Sequence, residues 1–102
     1  MHLIEILLPV ADNRGQAFDQ KKFDHLREVL TRKFGGLTTF ARAPAQGYWR
    51  PDSQNTHVED VVVFEVMADD VDEEWWSEFR KELERIFEQT EIVIRSHAIR
   101  RL

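Results

Sequence analysis

The chain has 102 residues and a formal net charge of −5, a size that suits one domain and a balance that argues against a nucleic-acid partner, since such binders present a basic surface. It has no cysteine, which removes disulfides, zinc thiolates, iron–sulfur clusters and thiol nucleophiles, and fits a reducing, cytoplasmic setting. The first residues, Met1-His2-Leu3-Ile4-Glu5-Ile6, lack the basic stretch of a signal peptide, and no segment nears the length of a membrane helix.

Leu3 to Val10 is almost continuously apolar, broken by Glu5, and predicts a central strand. Asp12-Asn13-Arg14-Gly15 is a polar turn. A helix is expected from Gln20 to Phe34. Asp19 caps it, Phe18 and Phe23 have the spacing of a hydrophobic staple, and Gly35-Gly36 ends it. Phe23, Leu26, Leu30 and Phe34 form its apolar stripe.

A second strand starts near Leu37-Thr38-Thr39-Phe40-Ala41. A turn at Pro51–Asn55 makes Tyr48-Trp49-Arg50 its outer part, with a bulge or bend near Pro44 and Gly47. The third strand runs from Val58 to Met67, with its drier face at the even positions. A second helix covers Glu73 to Gln89, capped by Asp72, and a last strand follows from Ile92 through His97 toward Ile99.

Strand, helix, strand, strand, helix, strand predicts an α+β, ferredoxin-like βαββαβ sandwich over residues 1–102. Its expected sheet is four-stranded, of antiparallel type and in the order 4-1-3-2. The first and third strands are expected to be central and parallel to each other, with both helices on one face and a long hairpin arm.

Phe34-Gly35-Gly36-Leu37-Thr38, Gly47-Tyr48-Trp49, Glu59 and Phe87-Glu88-Gln89 together resemble a family of small uncharacterised bacterial proteins with a ferredoxin-like fold. That family shows a Gly-Leu-Thr step, a Gly-x-Trp, a Glu on the next strand and a Phe-x-Gln at the end of the last helix. The resemblance spans Phe34 to Val93. It implies the fold and the long hairpin and carries no activity.

Alternation places Leu3, Glu5, Leu7, Val61, Val63, Glu65, Val93, Arg95 and His97 on the sheet face away from the helices. Either Thr38, Phe40 and Arg42 or Thr39 and Ala41 join them; the pattern leaves both open. An apolar face with a few charges marks an interface, so a homodimer through this face is expected. A small-molecule cleft with Glu5, Glu65, Arg95 and His97 as its polar groups is compatible with it. Arg42, Trp49 and Glu59 are further ligand-binding candidates, with Trp49 read first as arm packing.

His97 is the best acid–base candidate, because a neighbouring carboxylate tunes an imidazole. The four histidines show no metal-ligand spacing, and nothing calls for a metal or a cofactor. Three readings follow. The first is a homodimeric, non-catalytic binding or assembly module. The second is a small cofactor-independent enzyme of the dimeric α+β barrel type, a fold-level analogy. The third is an acidic-helix docking protein, from the carboxylates between Asp69 and Glu88.

Overall fold

The computed structural model describes the backbone of residues 1–36, 38–49 and 57–102, and the side chains of residues 1–36 and 61–102. The chain order is β1 (His2–Pro9), α1 (Gln20–Phe34), β2 (Thr38–Trp49), β3 (His57–Ala68), α2 (Glu73–Ile86) and β4 (Val93–Ala98). The strands form one sheet in the order β2-β3-β1-β4.

The sheet corrects the expected ferredoxin-like sandwich in the direction of its central pair. β1 and β3, expected to be parallel, are antiparallel, with Glu5 opposite Glu65 and Leu7 opposite Val63. β4 is antiparallel to β1, and β2 is antiparallel to β3. The reason is topological. The crossover through α1 lays β2 in the same direction as β1, and the reversal between β2 and β3 then brings β3 back against β1. The result is an α+β fold whose sheet is antiparallel throughout, with no parallel pair among its described ladders.

The β2–β3 register runs from Thr38 opposite Glu65 to Trp49 opposite His57, with a shift between Phe40 and Ala45. The bend expected near Pro44 and Gly47 therefore falls just ahead of Ala45. The expected turn at Pro51–Asn55 lies outside the described residues.

Both helices start where the sequence places their caps. The Asp19 carboxylate accepts from the Lys21 amide at 3.0 Å, and that of Asp72 accepts from the Trp75 amide at 3.0 Å. Gly35 closes α1 in the left-handed conformation, φ 75°, donating its N–H to Thr31 at 2.8 Å. α2 stops earlier than the expected Gln89. Phe87 and Gln89 turn back onto Leu83 and Glu84, and Glu88 adopts φ 51°, a position glycine usually takes. The strand that follows begins at Val93 instead of Ile92, because the buried Ile92 gives its N–H to the Glu84 carboxylate at 3.0 Å.

One face of the sheet is dry. Ile4, Ile6 and Leu8 of β1 and Phe64 and Val66 of β3 are buried against Phe23, Leu26 and Leu30 of α1 and Trp76, Phe79 and Leu83 of α2. Each such fully buried side chain contributes roughly 1.5–3 kcal/mol relative to exposure. The staple spacing resolves into a three-ring contact: Phe18 meets Phe87 edge-on at 5.2 Å, and Phe23 packs on the same ring at 5.3 Å. The helices are tied together at one end by Lys22, whose ammonium donates to the Ile86 carbonyl at 2.7 Å. A cation suits the end of a helix, where unpaired carbonyls gather. The described ion pairs on the helices, such as Glu28–Arg32 and Arg80–Glu84, lie within one helix.

Candidate functional site

The opposite face of the sheet carries the charges that alternation assigns to it. Three neighbouring strands put Arg95, Glu5 and Glu65 in one row, since Glu5 is the partner of Arg95 in β4 and of Glu65 in β3. The register adds Thr38 of β2 to the end of that row. His97 stands opposite Leu3 in the next row. The strand backbones supply this arrangement: side chains directly opposite on antiparallel strands share a face and stand about 4.5–5.5 Å apart at Cβ.

Arg95 donates through Nε to Glu5 Oε1 at 3.2 Å. The Arg95 side chain is 59% exposed and that of Glu5 is 16% exposed, so water screens the pair and its net contribution is about 1 kcal/mol or less. His97 Nδ1 lies 3.8 Å from the same oxygen, outside hydrogen-bond reach but close enough to feel its charge. One carboxylate oxygen therefore faces both the Arg95 guanidinium and the His97 imidazole.

Glu65 is left differently placed. It faces Glu5 across the ladder, and no described side chain pairs with it. Its carboxyl is pushed above the usual range, first by partial burial, then by the Glu5 charge, with His97 opposing. Like charges directly opposite each other destabilise a sheet, so among the described side chains this row carries more negative than positive charge. Apolar groups flank it. Val93 is 45% exposed, Met67 is 46% exposed, and Leu3, Leu7 and Val63 are half-buried.

Of the candidates read from the sequence, Glu5, Glu65, Arg95 and His97 come together on this face. The side chains of Arg42, Trp49 and Glu59 lie outside the described residues, although the backbone register sets Trp49 opposite His57 and Gly47 opposite Glu59. The sequence reading did not associate Lys33 and Arg101 with this face. Both line a groove of about 710 Å³ that also takes in Glu65, Met67 and Asp69. Arg101 is visible in the sequence only as part of a basic C-terminal pair. Among the described residues, no helix is long and apolar enough to cross a membrane.

No protein-family model matches the sequence, and no curated protein matches it. Solved structures do match. A phage SAM lyase in complex with S-methyl-5'-thioadenosine superposes with a TM-score of 0.65 over 94% of this chain and 79% of that one, at 12% identity. A phage SAM lyase in its apo state gives a TM-score of 0.62 over 94% and 78% of the two chains, at 11% identity. The likeness to both structures is one of α+β fold, at 12% and 11% sequence identity.

Proposed function

We propose that this chain binds a small, positively charged molecule on the open face of its sheet and acts on it as a cofactor-independent enzyme, with S-adenosylmethionine as the first candidate. The observation that carries the reading is the pairing of Glu5 with Glu65 across the ladder, with one guanidinium on Glu5 among the described residues. A ligand cation beside Glu65 removes the repulsion that the folded chain tolerates. A sulfonium is such a cation. The likeness to phage SAM lyase, one example holding S-methyl-5'-thioadenosine, supports this choice of ligand and sets the enzyme reading ahead of the non-catalytic module.

The roles divide by position. Glu65 faces the cation. Arg95 holds Glu5 in place and keeps most of its own surface for a ligand anion or a second chain. His97 is the acid–base candidate, since its Nδ1 lies 3.8 Å from the Glu5 carboxylate on the same face. A second copy of the chain covers the apolar rows that include Met67 and Val93 and limits access of water to the carboxylates. A dimer in a reducing, cytoplasmic setting is part of this reading.

The test is a titration of the purified protein with S-adenosylmethionine and with S-methyl-5'-thioadenosine, followed by chromatographic detection of the latter after incubation with the former. Saturable binding that weakens in Glu65→Ala, with accumulation of the thioether, is the expected result. No binding of either compound up to millimolar concentration overturns the reading. Binding without turnover would return the chain to the class of binding modules. Light scattering on the same sample reports the dimer, and a monomer mass removes that part.

A further inference from the structure

The groove beside Glu65 has a chemical polarity of its own. Its walls come from the end of α1, from the last residues of β3 and from both chain termini. Its volume of about 710 Å³ lies within the range of about 300–1,000 Å³ usual for small-molecule sites. Two cations line it, Lys33 and Arg101, together with two carboxylates, Glu65 and Asp69. Leu3 and Met67 give it an apolar floor that continues onto the open face.

Both cations are exposed at the groove. The Lys33 ammonium lies 4.4 Å from the ring centroid of Trp75, outside the groove lining, and 5.9 Å from that of Phe34, which lines it. A π-face steadies an ammonium without neutralising it. Arg101 is exposed, in the segment that follows β4. Among the described ion pairs, neither residue takes part. An α-amino acid group carries one carboxylate and one ammonium, and this groove offers a complement to each.

Building on the adenosyl-ligand reading above, we infer that the groove holds the amino-acid end of the ligand, with Lys33 and Arg101 taking its carboxylate and Asp69 its ammonium. Glu65 lies in both the groove and the charged row of the sheet. It is therefore the junction between the amino-acid end and the charged centre. This makes Lys33 and Arg101 specificity-determining residues: they select ligands that retain the amino-acid chain.

Two uncharged-sulfur probes isolate the effect. S-Adenosylhomocysteine keeps the amino-acid end, and S-methyl-5'-thioadenosine lacks it. Calorimetric titration of the wild-type chain and of the Lys33→Gln/Arg101→Gln variant compares them. Both positions are exposed, so the variant keeps its core. The expected result is a wild-type preference for S-adenosylhomocysteine that falls by about ten-fold or more in the variant, the scale of a lost charge-assisted contact, while affinity for the thioether holds. An unchanged preference, or an equal fall for both probes, overturns the groove assignment and leaves the adenosyl-ligand reading standing. A wild-type chain that binds neither probe nor S-adenosylmethionine overturns both.

Discussion

The two faces of the sheet obey the same alternation and meet opposite fates. On the helix side, Ile4, Ile6, Phe64 and Val66 are at most 2% exposed and touch aromatic rings from both helices. On the other side, the residues between them are Glu5 and Glu65, facing each other with one guanidinium nearby. A core rewards any apolar group of the right volume. The open face instead keeps a charge arrangement that costs the fold something, and such costs gather where a ligand or partner repays them.

The contrast breaks most visibly at neighbouring positions of β3. Phe64→Ala removes a fully buried ring that packs against Phe23 of α1 and is expected to cost about 3–5 kcal/mol in chemical denaturation. Val63→Ala, one residue along on the open face, is expected to cost about 1 kcal/mol or less at dilutions where the second copy has dissociated. Similar losses at the two positions would mean that the open face is itself packed in solution. A smaller effect is expected at the seam between α2 and β4. Glu84→Ala leaves the Ile92 N–H without its acceptor and should cost about 1–3 kcal/mol, read from the same denaturation curves.

The smallest effect sharpens the comparison by pH. The folded state holds Glu65 with a raised pKa, so between the unfolded value and the folded one the native chain binds more protons than the unfolded chain. Stability therefore falls as pH rises through that window. Glu65→Gln cannot ionise. Relative to wild type it should gain stability as pH rises from below the ordinary carboxylate range toward neutrality, and melting curves in a pH series check this. A constant difference across the series would show that Glu65 is not perturbed by its surroundings.

Much of the helix side was legible from the sequence, because its determinants are local. Asp19 and Asp72 announce the helix starts, and the alternation of β1 and β3 sorts their residues onto two faces. The Glu5–Arg95 pair was also legible, once β4 was set beside β1. What was not legible depends on the path of the chain in space. The direction of β3 against β1 follows from the crossover and reversal before it, and that direction brings Glu65 opposite Glu5. The early end of α2 rests on Glu88 in a left-handed conformation, which no local pattern marks. The groove joins Lys33 at the end of one helix to Arg101 at the far end of the sequence, a meeting with no signature in spacing.

The hydrogen bond from Ile92 to Glu84 has a kinetic meaning. β4 brings Arg95 and His97 to the charged row, and its first anchor is a side chain on the last full turn of α2. When that turn frays, the anchor is released with it, while the ladder to β1 still holds Arg95 opposite Glu5. Opening at the end of α2 therefore loosens the entry to β4 at Ile92, and the charged row keeps its register through the ladder to β1.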